Sequence, residues 1–286
     1  MSSTPRRRVA VVTDTTADLP AELVAKYGIH VIPQILIMGD KTWRDGIDID
    51  SAAFYELLRS PKGFPSTSQP SSTSFCELFS SVSKQADGIV AVLISSRLSG
   101  TINSALSAAA DLPGIPIEII DTRAVSMQLG FIALAAARVA AGGGDMAAVA
   151  AAARTMMPRT GVYFVVDTLE YLHRNGRIGA AAKLFGSALN LKPLLSIQDG
   201  IVTPVAKIRS RRKALDHMIE LMAQQIPAGA NLHLAVLHVA APNECAQLSQ
   251  ELIARFHPLD AIMTECGPVI GAHAGPGTMG AAFYVD

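Results

Sequence analysis

The chain has 286 residues, half of them hydrophobic and 17% charged, with 24 Lys and Arg against 24 Asp and Glu. That length suffices for two domains with a core each, and the neutral balance lacks the basic surplus of a nucleic-acid binder. The apolar stretch over residues 131–141 is too short to span a bilayer and carries Arg138, and Arg6-Arg7-Arg8 is followed by no apolar segment of the signal-peptide kind.

Residues 9–13 read as a short strand ending at Asp14-Thr15-Thr16. Asp18-Leu19-Pro20-Ala21-Glu22 then supplies an N-cap, an early proline and an acidic first turn, and Gly28 closes the helix. Residues 29–38 return to strand, Gly39-Asp40-Lys41 reads as a hairpin turn before Thr42-Trp43, and Asp50 or Ser51 caps a helix through Leu58. A loop over 61–65 leads into a run of hydroxyls, Ser66-Thr67-Ser68-Gln69-Pro70-Ser71-Ser72-Thr73, and a helix over 72–84. The apolar run 89–94 has the length and β-branched content of a buried strand. It gives way to Ser95, Ser96, Ser99, Gly100 and Thr101, and then to an Ala-rich helix that includes 105–110. A strand over 116–120 follows, ending at Asp121-Thr122. Next come a mostly apolar helix over 126–141, stopped by Gly142-Gly143-Gly144, and a second Ala-rich helix capped by Asp145 through Met157. Strand alternating with helix argues for a parallel sheet covered on both faces.

Pro158-Arg159-Thr160-Gly161 marks the expected boundary, giving domains over 1–157 and 158–286. Beyond it lie a strand over 162–166, a helix starting at 168–172, the turn Asn175-Gly176-Arg177-Ile178-Gly179 and a helix over 180–189. Two strands, 194–197 and 201–206, form a hairpin around Gln198-Asp199-Gly200. A helix over 211–225, a strand over 232–239 and a helix–strand pair within 243–264 follow, and 267–278 reads as a glycine-rich loop before a last strand. Three cysteines, Cys76, Cys245 and Cys266, far apart and odd in number, point to reduced, buried thiols in a cytoplasmic protein.

The hydroxyls after residue 94 sit where a strand hands over to a helix, where free backbone N–H groups and the positive helix end favour an anion. Ligands of open α/β sheets also bind beyond the carboxyl ends of strands. Taken alone, the stretch is as well explained by a serine cap on an ordinary βα turn. Gly275-x-Gly277-x-x-Gly280 fits the dinucleotide fingerprint formally, but the required helix finds no room in the six residues that follow. Asp14 follows a first strand as in aspartyl phosphotransferases, yet Thr16 stands where that chemistry wants a second acid. There is no Gly-x-Ser-x-Gly elbow, and His233 and His238 are too isolated to argue for a metal. His273, among glycines that let backbone approach a ligand, is read as a site residue. Arg177 and Arg209 lie in turns, and Arg209 with Arg211, Arg212 and Lys213 suits a docking face.

Five stretches then carry a resemblance. They are Val12-Thr13-Asp14-Thr15-Thr16-Ala17-Asp18-Leu19-Pro20, Thr67-Ser68-Gln69-Pro70-Ser71, Ser95-Ser96-Arg97-Leu98-Ser99-Gly100-Thr101, Thr168-Leu169-Glu170-Tyr171-Leu172 with Asn175-Gly176-Arg177-Ile178, and Gly271-Ala272-His273-Ala274-Gly275-Pro276-Gly277. In this order, over nearly the whole chain, they resemble the DegV family of fatty-acid-binding proteins. The resemblance implies an α/β fold of two α/β domains, the first a mostly parallel Rossmann-like sheet with helices on both faces, and a ligand tunnel between domains. It implies a long-chain fatty acid as ligand, no cofactor and no metal. As partner it implies a separate ATP-dependent fatty-acid kinase that converts the bound carboxylate to an acyl phosphate, the chain itself having no turnover. By motif, Thr67 and Ser99 correspond to hydroxyl donors to the carboxylate, and His273 to an imidazole in the same network. Ser68, Ser96, Gly100, Thr101, Ser126 and Gly275 complete the ligand-binding set on this reading, with Arg177 near the site entrance and Arg209 docking the kinase. Such a carrier is expected to be a cytoplasmic monomer in transient contact with membrane and none with nucleic acid. Asn175 and Gln128 stand where the family commonly has glycine, and Ile102 where it often has an aromatic. Two other readings stay open: a phosphotransferase or hydrolase using Asp14 or a serine with His273, and an interaction protein whose cavity is only structural.

Overall fold

A computed structural model describes residues 7–59, 64–186 and 191–286. Strand β1 (Arg7–Asp14) runs into a 3-10 turn at Thr15–Ala17. Helix α1 (Ala21–Tyr27) starts after Pro20 and stops at Gly28, which takes the left-handed φ of 58° that ends many helices. Residues 29–38 form two strands rather than the expected one, β2 (His30–Ile32) and β3 (Ile35–Met38). The break falls at Pro33, which has no N–H for a ladder, and at Gln34, whose side chain is buried. β4 (Lys41–Arg44) and α2 (Ser51–Leu58) follow, the helix capped by an Asp50 carboxylate that accepts from the Ala53 N–H.

Next come β5 (Ser66–Ser68), α3 (Ser72–Val82), β6 (Ala86–Leu93), α4 (Thr101–Ala110) and β7 (Ile117–Asp121). Helix α5 (Met127–Ala141) is apolar nearly all round and correspondingly buried, and α6 (Met146–Met156) is capped by Asp145. The remaining elements are β8 (Thr160–Val165), α7 (Glu170–Arg174), β9 (Leu194–Gln198), β10 (Ile201–Ala206) and α8 (Arg211–Gln225). They are followed by β11 (Leu232–His238), α9 (Pro242–Phe256), β12 (Asp260–Glu265), α10 (Pro268–Ala274) and β13 (Met279–Val285). In place of the helix expected over 180–189 the chain makes a 3-10 turn at Gly179–Leu184; residues 187–189 lie outside the described residues. The tail also differs from expectation, because 268–274 is helical rather than loop.

The chain divides into two compact units, Met1–Ile35 with Ser68–Pro158 and Leu36–Thr67 with Arg159–Asp286. The last change of unit falls at the Pro158-Arg159 step, and residues 36–67, although early in sequence, group with the second unit.

The first unit holds a four-stranded sheet in the order β2-β1-β6-β7, parallel throughout. Parallel strands need helical crossovers, so both faces are covered and the strands read as continuous apolar runs. β6 alternates accordingly. Ile89, Ala91 and Leu93 join Ala10 and Val12 against Phe75 and Phe79 of α3 and Ala105 of α4, while α5 and α6 pack on this sheet with their own buried alanines. The second unit holds a mixed six-stranded sheet, β10-β9-β8-β13-β11-β12, in which only β11 and β12 pair in parallel. Its core joins Met218 and Met222 of α8, Leu248 and Leu252 of α9, and Leu232, Leu234 and Val236 of β11. β9 and β10 form the expected hairpin, with Asp199 and Gly200 both at positive φ. A three-stranded sheet in the order β4-β3-β5 completes the fold. Among the described residues, no helix is long and apolar enough to cross a membrane.

Candidate functional site

In the second unit, the middle residue of β5, Thr67, places its Oγ1 2.7 Å from Nε2 of His273 in the last turn of α10. The sequence builds α10 from Gly267 at its N-cap and Pro268 at its first position, and Gly275 ends it at φ 81°. Gly271 is needed for packing rather than flexibility: a Cβ there would lie 2.5 Å from the Tyr55 ring. That ring sits beside the start of the helix, its hydroxyl donating to the Cys266 carbonyl at 2.6 Å, and Ser51 Oγ donates to the same carbonyl at 3.3 Å. From the other side Asn175 Nδ2 donates to the Ala272 carbonyl at 2.9 Å, and Arg177 Nη1 donates to the Asn175 carbonyl at 2.8 Å. Asn175 therefore acts as a strut for α10. Gly275 lies against Tyr171, whose ring would come within 2.4 Å of a Cβ at that position.

Burial, and after it the positive charge of Arg177, lowers the His273 pKa to about 4. The imidazole is thus neutral near pH 7 and carries a single N–H. Its Nδ1 is buried and meets no hydrogen-bond partner among the described residues. An orphaned buried N–H is rarer than an orphaned acceptor, so the hydrogen-bond pattern assigns the proton to Nε2. Nε2–H then donates to Thr67 Oγ1, and the Thr67 hydrogen is left to point elsewhere.

In the first unit, a second hydroxyl cluster lies where β6 hands over to α4. Ser99 Oγ and Thr101 Oγ1 are 2.8 Å apart, and Gln34 Nε2 reaches Thr101 Oγ1 at 2.9 Å. Gly100 packs its backbone against Gln69, 3.1 Å from where its Cβ would stand. Ser96 is exposed and committed to Asp121, its amide at 3.0 Å from one carboxylate oxygen and its hydroxyl at 2.5 Å from the other. Ser126 adopts φ 55° and ψ −151°, a region that side chains rarely enter. Its hydroxyl donates to Asp18 Oδ2 at 2.5 Å and its amide to the Thr16 carbonyl at 2.7 Å. Ser68, half-buried, donates to the Gln69 carbonyl at 3.4 Å. Asp14 is fully buried. Its Oδ2 accepts from the Ile94 amide at 2.9 Å, and its Oδ1 accepts from the amide and hydroxyl of Thr16. Burial raises its pKa, partly offset by these hydrogen bonds.

The expected set is thus divided: Thr67, His273, Gly275 and Arg177 belong to one unit, and Ser99, Gly100, Thr101 and Ser126 to the other. Arg209 is exposed, one residue before the Ser210 cap of α8. Three residues with no site role expected from sequence also hold these groups: Gln34, Asp18 and Tyr55. Gln34 carries a signal in sequence as a lone amide inside an apolar run after a proline, and Asp18 lies in the first of the five stretches that resemble the family. His233 has a structural setting, stacked on Tyr284 with Asp260 Oδ2 at 2.9 Å and Asp286 Oδ2 at 3.0 Å. Among the described residues, no group of three or more His, Cys, Asp or Glu is placed to hold a metal ion.

A parallel α/β unit joined to a mixed-sheet α/β unit, with hydroxyl clusters at strand ends, defines a class of two-unit α/β proteins. Within that class the chain belongs to the DegV family, whose profile, described as an uncharacterised protein of that family, matches residues 8–286. It is 41% identical over 276 residues to a DegV domain-containing protein of Streptomyces coelicolor, covering 96% of this chain and 97% of that one. Its fold is similar to that of a fatty-acid-binding DegV family protein from Thermus thermophilus (TM-score 0.91, 33% identity, 98% of this chain and 100% of that one). DegV of Bacillus subtilis, described as a fatty acid binding protein, is equally similar (TM-score 0.91, 31% identity, 98% and 100% coverage).

Proposed function

We infer that this chain is a non-enzymatic carrier that binds a long-chain fatty acid and presents its carboxylate to a separate ATP-dependent fatty-acid kinase, as a monomer in the cytoplasm. The observation that carries this reading is the Thr67–His273 pair. A neutral imidazole that donates to a threonine leaves the threonine hydrogen for an incoming acceptor, and a carboxylate accepts on both oxygens. A charged imidazole would hold its ligand as an ion pair; a neutral donor chain holds the acid while leaving an oxygen nucleophilic enough to take a phosphoryl group. Ser99 and Ser126, with the Gly100 backbone, are the further headgroup contacts on this reading, and Thr101 belongs to the site from behind Ser99. Ser68, Ser96 and Gly275 complete the set, Arg177 marks the site entrance, and Arg209 is the docking cation. Fatty-acid binding by the Thermus and Bacillus relatives supports the substrate class. The tail gains about 0.8 kcal/mol for each buried methylene, so tight binding needs little from the headgroup beyond satisfying its charge.

Denaturing extraction of the purified chain followed by mass spectrometry is expected to release a long-chain fatty acid in near-stoichiometric amount. Protein free of lipid that also fails to take up added palmitate would overturn the reading. The kinase step has its own assay: with a fatty-acid kinase and ATP, loaded protein is expected to yield an acyl phosphate trappable as its hydroxamate, and Arg209→Ala to lower the yield without lowering palmitate content. The alternative with Asp14 as nucleophile fares worse, because both carboxylate oxygens of this fully buried residue accept hydrogen bonds from the protein.

A further inference from the structure

The hydroxyl cluster of the first unit is not isolated. Behind Ser99 runs a chain of hydrogen bonds that ends on a buried amide. Ser99 Oγ lies 2.8 Å from Thr101 Oγ1, and Gln34 Nε2 lies 2.9 Å from Thr101 Oγ1, with Gln34 Oε1 farther off at 3.4 Å. The Gln34 side chain also helps to offset the rise that burial causes in the Asp14 pKa. Asp14, Gln34 and Thr101 are all buried, with 2% or less of their surface exposed, while Ser99 is only half-buried. The chain thus has a closed inner end and an open outer one.

Such a chain has a direction. Only the Nε2 of a glutamine amide donates, and Gln34 Nε2 lies nearer to Thr101 Oγ1 than Oε1 does, so Gln34 donates to Thr101. Thr101 Oγ1, already accepting, directs its own hydrogen to Ser99 Oγ. Ser99 Oγ also faces the Thr101 amide at 3.3 Å. With two donors turned to its oxygen, Ser99 has its hydrogen left for the outside.

We propose that Gln34 is a positioning residue that sets the direction of the Gln34–Thr101–Ser99 chain, so that Ser99 meets the ligand as a donor and the site selects an acceptor-only headgroup, a carboxylate, over one of equal tail length that must itself donate, such as a primary alcohol. This rests on the fatty-acid reading above and adds to it a residue and a rule of headgroup selection. Gln34→Glu replaces the donating amide with acceptors. Thr101 then turns its hydrogen inward, accepts from Ser99, and Ser99 presents a lone pair.

The test compares affinities of delipidated protein for palmitate and for cetyl alcohol at mildly alkaline pH. Wild type is expected to favour palmitate, and Gln34→Glu to cut the palmitate-to-alcohol ratio by about tenfold or more, the worth of one hydrogen bond to a charged group. Thr101→Val, which breaks the chain, is expected to lower the ratio similarly, and Thr101→Ser, which keeps the hydroxyl, to restore it; this pair carries the test where Gln34→Glu does not fold. A purely structural role would weaken both ligands together. Wild type that binds palmitate, with a ratio unchanged within about threefold in Gln34→Glu and Thr101→Val, would overturn the proposal and leave the fatty-acid reading standing. Wild type that binds neither ligand would overturn both.

Discussion

His273 links site chemistry to stability through its proton. In the folded chain its pKa is lowered to about 4, against 6.5 for the free side chain. Between those values the unfolded chain binds a proton that the folded chain refuses, so stability falls as pH drops through this window and levels off below it. The loss is at most about 3 kcal/mol, less whatever solvent reaches the half-buried ring. Urea midpoints for wild type and His273→Gln are therefore expected to converge as pH falls from about 7 to about 5; curves that stay parallel would show that the imidazole is not held neutral. Gly275 tests the same corner sterically. At φ 81°, with Tyr171 2.4 Å from a would-be Cβ, Gly275→Ala combines backbone strain with overpacking and is expected to cost about 2–4 kcal/mol. A urea titration showing under about 1 kcal/mol would mean that α10 ends differently.

Among the elements, the helices whose starts are written in side-chain chemistry were the most legible. Asp50, Ser71, Asp145 and Ser210 each accept a hydrogen bond from the amide three residues on. Asp145→Ala is expected to destabilise by about 1 kcal/mol while Asp145→Asn costs little, and an equal loss in both, by thermal melting, would point to charge rather than capping. The α8 range was readable to the residue because a serine cap precedes an amphipathic run that ends before Pro227. The tail is helical against expectation for a physical reason: its glycines look like breakers, yet Gly271 is a helical residue that admits a tyrosine ring from a segment more than two hundred residues away. No local pattern encodes such an approach. The pairing of Thr67 with His273 was likewise beyond spacing arguments, and entered only through resemblance to a family. Gln34 shows the converse, since its burial splits an apolar run that periodicity alone reads as one strand.

At the scale of the whole molecule the chain changes unit three times, after Ile35, Thr67 and Pro158. A cut at Pro158, where composition suggests one, releases a C-terminal piece without residues 36–67. Within its unit that early segment supplies Phe54 and Tyr55, both buried, the Tyr55 and Ser51 hydrogen bonds to the Cys266 carbonyl, and Thr67 against His273. The six-stranded sheet takes no strand from it, so the isolated piece can still form its sheet. What it loses is the packing that seats α10 through Gly271, and with it the imidazole. Residues 159–286 expressed alone are therefore expected to keep strand signal in circular dichroism, while amide exchange quickens across α10 relative to β11, the strand between β13 and β12. Adding Tyr55→Ala to the intact chain should reproduce the α10 signature in milder form, as removal of a buried aromatic typically costs about 3–5 kcal/mol. If α10 amides in the fragment were protected as strongly as those of β11, the helix would be self-sufficient, and residues 36–67 would contribute to the site through Thr67 alone.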